Sequence, residues 1–157
     1  MSKEEETLRF VAFCIEQYKH RHGGDGESVY NLFASSGVLR FLTDFFDVEH
    51  CLDADQILDD IEKIVQHREG VESFEIYRER GGRMSGEVTQ QNLHLFLPGK
   101  VAGVAMLIAK DTGRSPIDAL RDFYASRTCK FLEREETKYW HYSPSQLYLD
   151  MQENSCN

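Results

Sequence analysis

The sequence predicts a mostly α protein in which two related helical units, of three to four helices each, pack as one domain with a short β-hairpin or irregular insert between them. Three observations carry this. Residues 11–60 read like residues 101–150: Val11-Ala12 recurs as Val101-Ala102, Ala34-Ser35 as Ala125-Ser126, Phe41-Leu42 as Phe131-Leu132, His50 as His141, Gln56 as Gln146 and Asp60 as Asp150, at offsets of 90 or 91 that one-residue loop gaps explain. Such repetition marks one supersecondary unit used twice. Apolar residues in both stretches keep the i, i+3, i+4, i+7 spacing of a helix with one buried face. Helix-capping residues bracket those stripes. The resulting divisions are residues 1–70, a connecting insert at 71–97, and residues 98–157.

In the first unit, Leu8, Val11, Ala12, Ile15 and Tyr18 set a helix that stops at Gly23-Gly24, where glycine takes the left-handed turn closing a helix. A second, short helix starts near Glu27 with Val29, Leu32 and Phe33 on one face and ends at Gly37. Val38, Phe41, Leu42 and Phe45 continue as a third. Asp53, three residues before Gln56, is the N-cap of a fourth, whose stripe is Ile57, Leu58, Ile61, Ile64 and Val65 and whose end is Gly70.

The second unit repeats this grammar. Val101, Val104, Ala105 and Ile108 form a face ending at Gly113; Ser115-Pro116 and Ser143-Pro144 each place a capping serine before a proline at the first helical position, with Gln146 completing the second cap. Between the units the helical period breaks. Phe74 and Ile76, then Val88, Leu93, Leu95 and Leu97, suggest alternation around Gly81-Gly82, so a β-hairpin and an ordered loop both fit, with the hairpin preferred.

Charge bounds the partners. With 27 acidic and 18 basic residues the net charge is -9, so a nucleic-acid backbone would be repelled unless the basic groups clustered, and they do not; a basic protein partner fits better. No apolar run approaches the ~20 residues of a membrane span, and the acidic N-terminus is unlike a secretory segment. A soluble, cytoplasmic protein is expected, its four cysteines reduced for want of a paired framework.

No chemistry-bearing motif stands out. His50 and His141, each just before a last helix, are read as structural: largely buried, each giving a ring nitrogen to backbone near the following helix. A metal would need three or four convergent ligands, and Cys51 and Cys129 lack the surroundings of a nucleophile, so no metal, cofactor or catalytic residue is assigned. Carboxylate pairs such as Asp59-Asp60 and the run Glu133 to Glu136 read as solvated helix faces. Trp140 is assigned to packing. The partner-binding candidates are Phe74, Tyr77, Arg78 and Arg80 in the insert, of types enriched at interfaces, together with Tyr142 and Tyr148.

Residues Phe10 to Lys19 (FVAFCIEQYK), Val29 to Phe33 (VYNLF), Gly37 to Leu39 and Phe46 to His50 (FDVEH) resemble the small bacterial family called domain of unknown function 3791, over about residues 7–66. Family members commonly have Leu-His-Thr where this chain has Glu49-His50-Cys51. Residues 98–153, with Phe123 to Ser126 and Lys138 to His141 before Ser143-Pro144, resemble a divergent relative. The family brings no established activity. It is often encoded beside proteins that look like an ADP-ribosyltransferase fold, which the resemblance implies as candidate partners. The expectation is therefore a non-enzymatic interaction module, an antitoxin, immunity or adaptor partner of an ADP-ribosyltransferase-like bacterial protein. The alternative is a small enzyme or ligand-binding regulator using a cleft near His50 and His141. The oligomeric state stays open.

Overall fold

The computed structural model describes residues 2–69 and 88–155. In order these form α1 (Lys3–His22), α2 (Gly26–Ser36), α3 (Val38–Asp44), the short α4 (Phe46–Glu49), α5 (Ala54–Glu69), α6 (Leu97–Thr112), α7 (Pro116–Tyr124), α8 (Arg127–Leu132) and α9 (Pro144–Ser155). Single 3₁₀ turns lie at Leu93–Leu95, Glu135–Thr137 and Tyr139–His141. Among the described residues there is no strand and no helix long and apolar enough to cross a membrane. The expected hairpin, Gly70, Cys156 and the insert candidates Phe74, Tyr77, Arg78 and Arg80 lie outside the described residues.

The caps act as their residue types dictate. Gly23 and Gly113, at φ 83° and 76°, donate their N–H groups to Lys19 and Ala109 and close α1 and α6. Asp53 and Gln56 form a reciprocal capping box: the Gln56 N–H donates to Asp53 Oδ1 at 2.9 Å and the Asp53 N–H to Gln56 Oε1 at 3.4 Å. Ser143 and Gln146 repeat it at α9, at 3.2 and 2.9 Å.

Val88 to Leu97, read above as alternating, does not extend. The Thr89 N–H donates to Asn92 Oδ1 at 2.6 Å and the Asn92 N–H to Thr89 Oγ1 at 3.3 Å, so local side-chain bonds take the backbone groups a strand would need. The chain turns at Leu93–Leu95 and enters α6 directly.

α1 and α6 make the most extensive helix pairing and form the centre of the core. α1 buries Leu8, Val11, Ala12 and Ile15, and α6 buries Val101, Ala102, Val104, Ala105 and Ile108. Each large apolar side chain so enclosed contributes about 1.5–3 kcal/mol relative to exposure. α2 and α5 complete the first half around α1, while α7 and α9 pack on α6. The halves also meet where α7 crosses α2: a Cβ at Gly26 would fall on Cδ1 and Cε1 of the enclosed Tyr124 ring. The Tyr30 hydroxyl adds a bond across the same seam, donating to the Ile117 carbonyl at 3.1 Å.

Candidate functional site

Two clefts flank the place where α1 meets the segment leading into α6. The first, of about 420 Å³, is lined by Arg9, Phe10, Phe13, His50, Leu52, Ile57, Leu95, Pro98 and Gly99. Most of these side chains are apolar, with Arg9 and His50 set among them. Its wall is built by aromatic packing, with Phe10 edge-on to Phe46 at 5.6 Å and the His50 ring stacked on Phe46 at 4.3 Å. His50 Nδ1 lies 2.5 Å from the Phe46 carbonyl. Phe45, the residue between α3 and α4, and Val48 of α4 are 52% and 62% exposed, and Leu95, which lines the groove, is 42% exposed.

The second cleft, of about 550 Å³, is polar. Glu16, Lys19 and His20 enter it from α1, Leu93 and His94 from the 3₁₀ turn, and Lys130, Glu133 and Arg134 from α8 and the residues after it. At its floor Glu16 is fully buried. Lys19 Nζ donates to both Glu16 oxygens at 2.8 and 2.9 Å and reaches Glu133 Oε2 at 2.5 Å. Glu133 Oε2 also accepts the Gly26 N–H, the first of α2, at 3.0 Å, which satisfies an orphan donor and sets a negative charge at the positive end of that helix. One ammonium thus serves two carboxylates across the halves.

Burial pushes the Glu16 carboxyl up to about 7 although Lys19 pulls against it. Burial alone would lower the Lys19 ammonium, but Glu16 and Glu133 outweigh it and the pKa rises. The His20 and His94 rings stack at 3.8 Å, and burial, with His20 alongside, lowers His94 to about 4. At the rim Lys130 binds Asp25 at 2.9 Å and Glu27 at 3.0 Å. Asp25, the N-cap of α2, is held down at about 2, first by the Ser28 N–H and then by Lys130.

Two residues beyond Lys19, Arg21 turns toward the first half. It contacts Asp55 at 3.0 Å, Asp59 at 3.5 Å and Glu62 at 3.0 Å, and His22 joins Glu62 at 2.8 Å. This network fastens α5 to α1.

Residues 9–68 match the family described as Protein of unknown function (DUF3791). The resemblance of the first half to that family, expected from the sequence, holds. No curated protein and no solved structure matches the chain. The matched stretch runs from α1 into α5 and carries His50, Phe45 and Val48, together with Glu16 and Lys19 of the polar cavity.

The structure corrects several residue assignments. His50 and His141 are both exposed rather than buried. His50 does bond backbone, but to the preceding α4, because the short helix brings the Phe46 carbonyl one turn beneath its ring. His141 stacks on Trp140 at 3.8 Å and is not among the residues lining the groove at His50. Trp140 is half-buried against the core, its Nε1 without a partner among the described residues. Tyr142 is at the surface as expected, whereas the half-buried Tyr148 spends its hydroxyl on Asp111 at 2.5 Å. Cys14 and Cys129 are buried and Cys51 exposed, all three as free thiols. Among the described residues no group of three or more His, Cys, Asp or Glu is placed to hold a metal.

The polar cavity is what sequence reasoning missed. Asp59 and Glu133, read as parts of solvated acidic faces, pair with Arg21 and Lys19. A signal did exist: Glu16 lies four residues from Ala12 and eight from Leu8, inside the apolar stripe of α1. An acid at a core position must find a partner or hold a proton.

Proposed function

We propose that this chain is a non-enzymatic interaction module that binds a basic protein partner through the apolar groove together with the exposed Phe45 and Val48 at α4. The carrying observations are the exposure of Phe45 and Val48, at the start of α4 and on it, and the groove lined by Phe10, Phe13 and Leu52, which His50 at the end of the same helix helps to wall. Side chains of this size left in water at one place mark interaction surfaces. The net charge of -9 favours a basic partner and disfavours nucleic acid. The family resemblance supplies the candidate, an ADP-ribosyltransferase-like bacterial protein for which this chain acts as antitoxin, immunity or adaptor subunit in the cytoplasm.

The reading includes descent from two related units. In support, the caps recur 90 residues apart: Gly23 and Gly113 close the long helices, Asp25 and Ser115 open the next ones, and Asp53 and Ser143 open α5 and α9.

The test is a pull-down from the native host with the tagged parent and with Val48→Ser and Phe45→Ser. A stoichiometric partner of ADP-ribosyltransferase-like fold, recovered several-fold less by both variants, is the expected result. Full recovery by both variants, or retention of only a small molecule, would refute the assignment.

A further inference from the structure

We propose that the stacked rings of His20 and His94 form an acid-sensitive latch: while both are neutral they hold the turn at Leu93–Leu95 against the end of α1, and protonation of the pair releases that turn.

The three residues of the turn divide between the two clefts. Leu95 lines the groove, while Leu93 and His94 line the polar cavity. The turn is also the last piece of chain before α6, the helix that pairs most extensively with α1. Nearby, Leu93 is enclosed in the core, and the Gln90 side chain is tied to the chain beyond α8, donating to the Glu133 carbonyl at 2.8 Å and accepting the Glu135 N–H at 2.9 Å. His94 meets the last turn of α1 by ring stacking, the centroids 3.8 Å apart and the planes 15° from parallel.

That stack does not tolerate charge. An imidazolium carries a donor on both nitrogens, and His94 Nδ1 is buried with no hydrogen-bond partner among the described residues, so a protonated ring would leave a buried donor without an acceptor. Charge on both rings would set two imidazoliums face to face at 3.8 Å.

The surroundings do not relieve it. The charged and titratable groups that share the cavity with His94 are Glu16, Lys19 and His20 from α1, Asp25 at the start of α2, and Lys130, Glu133 and Arg134 from α8 and beyond. The carboxylates among them are committed, Glu16 and Glu133 to Lys19 and Asp25 to Lys130. Burial does most to lower His94 to about 4, His20 and the Lys19 ammonium add to it, and the Gln91 backbone, pulling the other way, does not offset them.

Because the free side chain titrates at 6.5, the released turn binds the proton more tightly than the latched one. The latch is at full strength above about pH 6.5 and weakens as pH falls from there to about 4. Glu16, raised from 4.5 to about 7, acts in the opposite direction over nearly the same window. The two offset each other in the global stability, so acid loosens the turn without unfolding the chain.

The experiment is amide hydrogen exchange of the full chain, followed by NMR and expressed as protection factors, which removes the intrinsic pH dependence of exchange. The reporters are the Leu95 and Phe96 N–H groups, which donate to the Asn92 and Leu93 carbonyls at 3.0 and 2.9 Å. Between about pH 7.5 and about pH 5 their protection should fall roughly thirtyfold, the ratio required by a ring that titrates at about 4 when stacked and at 6.5 when released. Val104 and Ala105, inside α6, should keep theirs. His94→Phe keeps a ring on His20 but takes no proton, and should leave the turn protected at both pH values. If that variant does not fold, His20→Ala, at an exposed position, decides: without the stack the turn should lose protection several-fold at neutral pH and lose little more in acid. Unchanged protection of Leu95 and Phe96 across the range, an undiminished acid loss in the deciding variant, or a loss shared by Val104 and Ala105 overturns the proposal.

Discussion

The two clefts share one stretch of chain and differ in everything that matters for recognition. Leu95, Pro98 and Gly99 face the groove; Leu93, His94 and Leu97 face the polar cavity. On α1 the change falls between Phe13 and Glu16, less than one turn apart. The groove offers non-directional burial that tolerates varied apolar side chains, with Leu95 on its wall already in water. The cavity is directional, its acceptors set by Lys19 and the start of α2. The difference teaches that a surface can be left open at little cost where it is apolar and local. A buried charge cluster instead has to be assembled from both halves of the chain.

That contrast predicts large stability effects on the polar side and small ones at the exposed apolar residues of α4. Replacing Lys19 by alanine leaves Glu16 and Glu133 without their ammonium and should destabilise the fold by about 3 kcal/mol or more, measured by denaturant unfolding near neutral pH. The loss should shrink in acid, where Glu16 is protonated and no longer needs the lysine.

Glu16 should also tie stability to pH. Its carboxyl titrates at about 7 in the folded chain, against 4.5 for the free side chain, so the folded state holds the proton more tightly than the unfolded state. Its contribution is fully present below about pH 4.5 and is lost as pH rises through about 7, roughly 3 kcal/mol in all. Unfolding free energies of Glu16→Gln and the parent, compared across that window, should diverge in favour of glutamine as pH rises. Parallel curves would place the titrating group elsewhere.

A smaller effect is expected where the halves touch without charge. Gly26→Ala drives a methyl into the Tyr124 ring and should cost about 1–3 kcal/mol of unfolding free energy, since an enclosed ring cannot swing aside. Smallest of all, Val48→Ser on the exposed side of α4 should change stability by less than about 0.5 kcal/mol, even as it weakens partner recovery. A large destabilisation by Val48→Ser would move this residue from the interaction surface into the fold.

What could be read in advance follows from range. Gly23, Gly37, Asp53, Ser115 and Ser143 act on backbone groups within four residues, so caps and helix ends were legible, as were stripes such as Leu8, Val11 and Ile15. The irregular stretch at Val88 to Leu97 was misjudged because apolar spacing alone cannot register the Thr89–Asn92 exchange. Glu133 was misread for a different reason: its neighbours Arg134, Glu135 and Glu136 are the exposed ion pairs a charged run suggests, and only the fold turns this one carboxylate inward. The two histidines were assigned burial from their place before a helix, but α4 ends at the surface and leaves His50 there.

The bond from the Gly26 N–H to Glu133 also has a meaning in time. It joins residues 107 apart, and the entropy of closing a loop rises with its length, so this contact can be rewarded only after the helices on both sides have formed by local steps. An amide whose acceptor comes from the other half is sealed when the halves dock and released when they part. Its rate of exchange with solvent deuterium therefore counts the openings of the seam, a clock that no amide bonded within its own helix can provide.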